Sequence, residues 1–297
     1  MIMPIKTALV TGAHGFTGRY MLAALRARGY RTYALVERPS DEAESITCDL
    51  TNAEVTERAI RQVQPNMVVH LAAVSFVGHG HPEQFYCVNV FGTLNLLEAL
   101  SKLKVPPSSV LIASSANVYG SPHLEVIDED VCPVPVNHYG NSKLAMEFMV
   151  RTWFERLPIV ITRPFNYTGP GQDDRFLIPK IVNHFRNKAP VIELGNLDVS
   201  RDFSDVVDVV AAYIALLEKH TYSEIVNICS GRSVSLREVI SMLNSLAGYE
   251  IEVQVNPALV REQEIRRLLG DNRKLKRLVN MAPSTPLLHT LKRMLSV

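Results

Sequence analysis

The stretch Val10-Thr11-Gly12-Ala13-His14-Gly15-Phe16-Thr17-Gly18 decides the fold of this chain. A short apolar strand over 6–10 precedes it, and an amphipathic helical pattern over 16–28 follows it. Glycines between a strand and a helix let the backbone turn tightly and approach a phosphate group. The N-terminus of the helix then offers unpaired N–H groups and the positive end of its dipole. The stretch therefore predicts a turn that binds a dinucleotide.

A second strand over 31–36 completes a strand–helix–strand unit and ends at Glu37. A Rossmann unit places a carboxylate there to bond the ribose 2′-hydroxyl, which favours NAD(H). Arg38 is adjacent and could bind a 2′-phosphate instead, so NADP(H) stays open. The alternative, that the glycines only make a tight turn, is disfavoured by the complete strand–helix–strand context.

Composition excludes several classes of protein. With 297 residues, 47% of them hydrophobic, the chain can bury a large core. The net charge of +1 implies no face for binding a polyanion. The four cysteines, at positions 48, 87, 132 and 229, have no metal or disulfide spacing, so we expect free thiols and no metal site. No signal peptide or membrane span is expected, which favours a cytoplasmic protein.

Strands and helices alternate through the first half of the chain. Further apolar strands are predicted over 67–73, 109–114 and 158–162, and helices over 52–63, 83–102 and 138–155. This alternation predicts an α/β fold, a doubly wound parallel Rossmann sheet. The pattern breaks up after Arg163, and a strand over 225–229 returns to the sheet. We therefore expect a dinucleotide-binding domain over 1–163 and 203–230, and a smaller C-terminal substrate-binding lobe over 164–202 and 231–297.

Two segments at strand ends have alternative interpretations. Asp49 could bond an adenine amino group, or it could cap the helix that begins near Thr51. The small residues of Leu71-Ala72-Ala73 could let a dinucleotide lie flat against the backbone, or they could serve sheet packing.

Three side chains suggest the chemistry. Ser115 follows a strand, and Tyr139 and Lys143 lie one helical turn apart on the same face. A free tyrosine has a pKa of about 10, and a neighbouring ammonium group lowers it. Ser115 can donate a hydrogen bond to a substrate carbonyl oxygen. The Tyr-x-x-x-Lys spacing alone is common on helix surfaces, but together with the glycine turn it indicates an active site.

These motifs resemble the extended short-chain dehydrogenase/reductase superfamily, in the epimerase/dehydratase branch that modifies nucleotide-linked sugars. The resemblance runs from Thr11 to roughly Arg273. It implies that Ser115, Tyr139 and Lys143 are catalytic, that Lys143 also holds the nicotinamide ribose, and that Tyr139 passes a proton while hydride moves between the nicotinamide and C4 of a hexose. It assigns cofactor binding to Gly12, Gly15, Phe16, Thr17, Gly18, Glu37, Arg38, Asp49, Leu50, Leu71, Ala72, Ala73, Asn89, Tyr139, Lys143, Pro164 and Asn166.

The second half of the chain is similar to enzymes of GDP-linked sugars. The stretch 163–172 resembles their sugar-binding loop, and 195–203 resembles their G-N-L-x-x-x-R-D signature. Arg261 and Glu264 match a pair that grips the nucleotide, since an arginine fork suits a diphosphate. For Arg201, a structural ion pair with Asp202 or Asp205 is the alternative. The resemblance assigns substrate binding to Ser75, Ser115, Asn117, Asn166, Phe176, Lys180, Leu194, Gly195, Arg201, Arg261 and Glu264.

The resemblance implies an oxidoreductase that uses NAD(H) or NADP(H) on a GDP-linked 4-keto-6-deoxy hexose. We expect reduction at C4 to GDP-D-rhamnose, with the C4 epimer, GDP-6-deoxy-D-talose, and a sugar-nucleotide 4-epimerase as alternatives. A cofactor-sensing regulator is disfavoured because such proteins usually lack the tyrosine or the lysine. Asn117 stands where dehydratases of this branch carry an acid, so we expect no water elimination.

The resemblance also implies a homodimer built on a four-helix bundle, formed by the helices over 83–102 and 140–155 of each protomer. The apolar residues that support this expectation are Phe91, Leu94, Leu97, Met146, Met149 and Val150.

Overall fold

The computed structural model describes residues 6–75, 81–122, 124–260 and 267–296. Its centre is a parallel sheet of seven strands, which confirms the predicted Rossmann fold. In order across the sheet, the strands are β10 (Glu224–Ile228), β6 (Ile159–Pro164), β5 (Ser109–Ala113), β4 (Met67–His70), β1 (Thr7–Thr11), β2 (Arg31–Val36) and β3 (Ser45–Thr47). Crossing from β1 to β4 reverses the direction in which the chain winds, and this point is where such sheets bind ligands.

Helices cover both faces of the sheet. One layer holds α1 (Phe16–Ala27), α7 (Val206–Glu218) and α9 (Arg273–Val279), and the other holds α2 (Ala53–Val63), α4 (Thr93–Ser101) and α5 (His138–Arg151). Side chains alternate along β1, so that Ala8 and Val10 face the first layer and Leu9 faces the second. Because both faces are covered, the residues of the central strands are mostly apolar, and the polar exceptions lie mainly toward the strand ends.

Several element boundaries differ from those predicted. The helix expected over 83–102 is divided into α3 (Pro82–Tyr86), π-helical turns over Cys87–Gly92, and α4. The strand expected over 67–73 ends at His70, because the Thr11 hydroxyl accepts the next N–H groups, those of Leu71 and Ala72. Helix α5 ends at Arg151 rather than at 155.

The C-terminal part forms a lobe with a core of its own. Strand β8 (Val191–Leu194) pairs with β12 (Glu252–Val255). Strand β9 (Ser200–Asp205) pairs with β7 (Asn166–Thr168), β11 (Ser233–Ser235) and β13 (Arg267–Leu268). Helices α6 (Leu177–Arg186), α8 (Leu236–Ala247) and α10 (Leu287–Leu295) enclose the apolar cluster of this lobe.

Helix α9 lies within the range predicted for the lobe, but it packs against the nucleotide domain. Its Leu275 and Val279 join the same core cluster as α1 and α7. The division into two domains stays a prediction, and α9 lies with the nucleotide domain although its residues fall in the range predicted for the lobe. Within the described ranges, no helix has both the length and the apolar character needed to cross a membrane.

Candidate active site

The glycine turn between β1 and α1 forms a cradle of bare backbone. Gly12 has a φ of +64°, and a Cβ placed on it would lie 2.7 Å from the backbone nitrogen of Ala72. A Cβ on Gly18 would lie 2.5 Å from the carbonyl oxygen of Ala13. Only glycine fits these positions, since a real side chain would have to displace backbone.

The cradle suits a diphosphate. Gly15 caps α1 without a side chain, and the described first turn of the helix, 16–19, carries no acidic residue. Its N–H groups and the positive end of the helix dipole therefore favour an anion. These are the residues that would hold the diphosphate of a dinucleotide.

The next two predicted cofactor residues, Glu37 and Arg38, are exposed just beyond β2. Asp49 also lies exposed, two residues beyond β3, and its carboxylate accepts bonds from the N–H (2.8 Å) and hydroxyl (2.7 Å) of Thr51. The cap of α2 is Asn52, which accepts from the N–H of Val55 at 3.1 Å. The helix-cap interpretation of Asp49 is therefore wrong, because a residue three positions later performs that role.

The loop after β4 borders the cradle. The Thr11 hydroxyl accepts hydrogen bonds from the N–H groups of Leu71 (3.2 Å) and Ala72 (3.1 Å). Residues 71–73 are half-buried, and Ser75 is exposed. Leu50 is buried, and its carbonyl oxygen accepts from the side chain of Asn95 at 2.8 Å.

Sequence analysis missed a buried histidine beneath this loop. His70 contacts the Thr11 hydroxyl through Nδ1 (2.7 Å) and the Thr93 hydroxyl through Nε2 (2.8 Å). The Thr93 hydroxyl donates to the carbonyl oxygen of Asn89, so Nε2 must donate and Nδ1 must accept. Burial first, and the nearby charge of Lys143 second, lower the pKa of His70 to about 3.

Asn89, a predicted cofactor residue, is fully buried in the π-helical turns. Its Oδ1 accepts from the N–H of Val74 (2.9 Å), and its Nδ2 donates to the hydroxyl of Ser142 (2.9 Å). Ser142 in turn donates to the carbonyl oxygen of Tyr139 at 2.8 Å. The structure therefore places the Asn89 amide between the loop after β4 and α5.

Ser115 opens a 3₁₀ turn over Ala116–Tyr119. Its oxygen accepts two hydrogen bonds, both at 3.1 Å, from the backbone N–H and the side-chain amide of Asn117. Because both of its accepting positions are filled, the Ser115 hydroxyl is left to donate its own proton.

Helix α5 brings the other two catalytic candidates to Ser115. Lys143 is buried, and its ammonium donates to the carbonyl oxygen of Ala113 at 2.8 Å. Burial lowers the pKa of Lys143 to about 8, whereas the charge of Glu147 opposes this change. Burial raises the pKa of Tyr139 to about 12, and a hydrogen bond with Ser115 acts against that rise. The lowered pKa expected from a neighbouring ammonium is therefore wrong in this structure, because burial dominates. The three side chains thus converge at the carboxyl end of β5.

Close backbone contact fixes this convergence. A Cβ on Gly140 would lie 2.7 Å from the carbonyl oxygen of Asn117, so α5 touches the Ser115 turn directly. The start of α5 is fixed by Asn137, whose side chain accepts from the N–H of Gly140 at 2.8 Å.

The predicted sugar-binding loop rests on α1. Pro164 ends β6 in the interior, whereas Asn166 is exposed at the start of β7. The hydroxyls of Tyr167 and Thr17 lie 2.8 Å apart, and the ring of Tyr167 stacks on Phe16 with centroids 6.1 Å apart. Phe16 and Thr17 therefore join the cofactor helix to the sugar loop.

The lobe holds the remaining predicted substrate residues. Phe176 is half-buried at the start of α6, and Lys180 donates to the carbonyl oxygen of Glu193 at 3.2 Å. The Leu194 side chain is buried in the lobe core, and a Cβ on Gly195 would meet the backbone of Leu259. Arg261 and Glu264 lie outside the described residues.

The guanidinium of Arg201 donates to the carbonyl oxygen of Ser200 at 3.0 Å. The two carboxylates suggested as ion-pair partners for it have other partners. Asp205 pairs with Arg293, and Asp202 accepts from the N–H groups of Ser230 and Gly231, each at 2.8 Å.

Comparisons with known proteins identify the family and the fold of this chain. The model of a family described as GDP-mannose 4,6 dehydratase matches residues 9–294. The GDP-6-deoxy-D-talose 4-dehydrogenase of Aggregatibacter actinomycetemcomitans is 37% identical, over 90% of this chain and 89% of that protein. The GDP-6-deoxy-D-mannose reductase of Pseudomonas aeruginosa is 34% identical, over 97% and 95%. A structure of RMD from Pseudomonas aeruginosa complexed with NADPH is 32% identical, covers 98% of this chain and 97% of that one, and superimposes with a TM-score of 0.86.

Proposed function

Because the chain belongs to the GDP-mannose 4,6-dehydratase family of short-chain dehydrogenase/reductases, we propose that it reduces the C4 keto group of GDP-4-keto-6-deoxy-D-mannose to GDP-D-rhamnose. The protein is an NAD(P)-dependent oxidoreductase. The observation that carries the proposal of hydride and proton transfer at a keto carbon is the convergence of Ser115, Tyr139 and Lys143 beside the bare cradle of the glycine turn.

The geometry supports a simple reduction. A dinucleotide whose diphosphate is held by the cradle would supply the hydride for the keto carbon from its nicotinamide, beside Tyr139 and Lys143. The accepting positions of Ser115 are filled by Asn117, so its hydroxyl donates to Tyr139 and would turn its proton to the keto oxygen of a bound substrate. Tyr139 gives its proton to the same oxygen and becomes a tyrosinate. The ammonium of Lys143 stabilises that anion, and a proton from solvent restores the tyrosine.

Asn117 favours keto reduction over water elimination. Elimination across C5 and C6 requires one group that removes a proton and one that donates a proton. Asn117 occupies the sequence position where the related dehydratases carry an acid, and its amide does not ionise in the working range. Here this amide donates to Ser115 instead. The family name is therefore broader than the reaction that we propose.

The decisive experiment supplies GDP-4-keto-6-deoxy-D-mannose with NADH or NADPH and identifies the product by NMR. We expect oxidation of the cofactor together with GDP-D-rhamnose formation. The variant Tyr139→Phe serves as the control for uncatalysed reduction. A wild-type protein that binds the cofactor but leaves the keto sugar unchanged would contradict the proposal.

The C4 epimer, GDP-6-deoxy-D-talose, is a second candidate product. The observation that favours it is the 37% identity to a GDP-6-deoxy-D-talose 4-dehydrogenase. The two products differ only in which face of C4 receives the hydride, and the coupling between H3 and H4 in the NMR spectrum distinguishes them. A sugar-nucleotide 4-epimerase would instead retain its cofactor through the cycle, so tightly copurifying cofactor would favour that alternative.

For the cofactor, we propose a modest preference for NAD(H) over NADP(H). Glu37 would bond the ribose 2′-hydroxyl and repel a 2′-phosphate, whereas the adjacent Arg38 acts in the opposite sense. Both side chains are exposed beyond β2. A KM for NADPH well below that for NADH would contradict the preference, and Glu37→Ala should shift it toward NADPH.

We also propose a cytoplasmic homodimer. Phe91 in the π-helical turns and Phe148 on α5 are each 57% exposed, which leaves apolar surface on the two elements expected to pair. Leu94 and Met149 are half-buried, but Leu97, Met146 and Val150 serve the core of the single chain. Light scattering on the wild-type protein and on Phe148→Glu tests the dimer, and a monomeric mass for the wild type would contradict it.

A further inference from the structure

Behind the catalytic residues lies an ion pair that is almost completely buried. Glu147 of α5 and Arg163 of β6 have side chains that are 2% and 5% exposed. The guanidinium donates through Nε to both carboxylate oxygens, at 3.0 and 3.2 Å, and through Nη2 to one of them at 2.6 Å. Removing two charges from water costs free energy of desolvation, so a buried ion pair is weak evidence for added stability, and a role in positioning is the alternative.

Glu147 lies on the catalytic face of α5. Tyr139, Lys143 and Glu147 are spaced by four residues each, so they are stacked on one side of the helix. Lys143 lies between the tyrosine on one side and the carboxylate on the other. Glu147 therefore acts on the lysine from the side opposite Tyr139.

Arg163 reaches the other half of the site. Its guanidinium lies over the ring of Tyr119, 4.8 Å from the ring centroid. Tyr119 ends the turn that Ser115 begins, and its hydroxyl donates to the side chain of Asn227 at 2.7 Å. One arginine thus holds the helix through Glu147 and the serine turn through Tyr119.

We propose that Glu147 and Arg163 are positioning residues, which clamp α5 to the Ser115 turn and place a buried carboxylate one helical turn from Lys143. This inference rests on the proposed function in one respect, namely that Tyr139 and Lys143 act on the substrate and cofactor. The clamp places the three catalytic side chains, and the Glu147 carboxylate supplies the negative charge that a buried ammonium needs.

The groups around Lys143 define what removal of that charge would do. The titratable and charged groups are Tyr139 and Glu147 on α5, His70 on β4, and Arg163 on β6, which is paired with the Glu147 carboxylate. Burial lowers the pKa of Lys143 to about 8, and Glu147 raises it. Without the carboxylate, the lysine would lose its proton at a lower pH.

The test is Glu147→Gln, which keeps the shape of the side chain and removes its charge. Two quantities are measured from pH 6 to pH 9.5: kcat/KM for keto reduction, and the dissociation constant of NADPH by fluorescence. We expect the alkaline fall of kcat/KM, and the alkaline weakening of cofactor binding, to move down by about one pH unit or more.

Two further variants separate this role from a merely structural one. The double variant Glu147→Gln/Arg163→Gln leaves no unpaired charge at this ion pair, so it should be more stable than Glu147→Gln. The alkaline fall of its kcat/KM should still occur at a lower pH than in the wild type. The double variant also provides the readout if Glu147→Gln does not fold. Arg293→Gln is the matched control, because it leaves another buried carboxylate, Asp205, without its ion pair, and Arg293 lies on α10 of the C-terminal lobe rather than on α5 or β6. It should lower stability without moving either pH profile.

Unshifted pH profiles in a folded Glu147→Gln or double variant would overturn the proposal, even if the rate fell. The cofactor titration needs no sugar substrate. If the wild type failed to reduce the keto sugar, the proposed function would fail, while the NADPH titration would still decide the role of Glu147.

Discussion

Replacing His70 by Gln tests whether the buried histidine beneath the cofactor loop is held neutral. The imidazole lies between the Thr11 and Thr93 hydroxyls, accepting from one and donating to the other. Protonation would give Nδ1 a hydrogen that opposes the Thr11 donor and would place a charge near Lys143. The folded protein therefore resists protonation, and the pKa of His70 is lowered to about 3.

The sign and the size of the effect on stability follow from linkage. Below its ordinary pKa of about 6.5, His70 takes up a proton in the unfolded chain but not in the folded one, so the free energy of unfolding falls as the pH falls. The free energy of unfolding falls by about 1.4 kcal/mol for each pH unit well below 6.5, until the pH reaches the pKa of about 3 in the folded protein. Between pH 7 and pH 4.5 the loss from this one residue is about 2.5 kcal/mol.

Urea denaturation at several pH values between 4.5 and 7 measures this loss. Glutamine can donate and accept as the histidine does, but it does not titrate, so His70→Gln should flatten the pH dependence by about 2.5 kcal/mol over this range. His289→Gln is the control, because it removes an exposed histidine instead of a buried one. Its unfolding free energy should depend on pH much as that of the wild type does. Equal pH dependence in the wild type and in His70→Gln would refute the reasoning.

Three other predictions concern the reaction. Tyr139→Phe should lower kcat by roughly 10²–10⁴-fold while cofactor still binds, because it removes the proton donor; near-full activity in a steady-state assay would refute the assignment. Gly140→Ala should lower kcat while the variant stays folded at the assay temperature, because its Cβ would lie 2.7 Å from the Asn117 carbonyl oxygen and push α5 away from Ser115. An unchanged kcat would argue that this contact is dispensable. GDP-D-mannose supplied with NAD(P)⁺ should give no 4-keto-6-deoxy product, since Asn117 replaces an acid, and steady formation of that product would show dehydratase activity.

Local sequence was sufficient for the parts of the site that depend on local geometry. The glycine turn could be predicted because a strand, the glycines and a helix follow one another directly in the chain. Tyr139 and Lys143 could be paired because four residues make one helical turn. The alternation of strands and helices predicted the parallel sheet, and with it the edge at which ligands bind.

The sequence also contained boundaries that it could not resolve. The predicted helix over 83–102 is divided by π-helical turns over Cys87–Gly92. Six residues are too few for the hydrophobic pattern of the sequence to reveal this change of helix type. Asp49 and Asn52 are both good caps, and the choice between them depends on where β3 ends. The position of α9 against the nucleotide domain depends on Leu275 and Val279 meeting α7, which is some 60 residues away in the chain.

Only the tertiary structure decided which buried polar groups meet. His70 bonds residues 59 positions before it and 23 after it, Asn89 bonds Ser142 across 53 positions, and Glu147 bonds Arg163 across 16. Such partners have no spacing rule in the chain, because their contact is created by the order of strands in the sheet. A buried polar group must nevertheless find a partner, since leaving it unpaired costs more than an ordinary hydrogen bond contributes. The sequence therefore predicted which side chains are the catalytic candidates, and the strand order determined the buried contacts that hold those side chains in place.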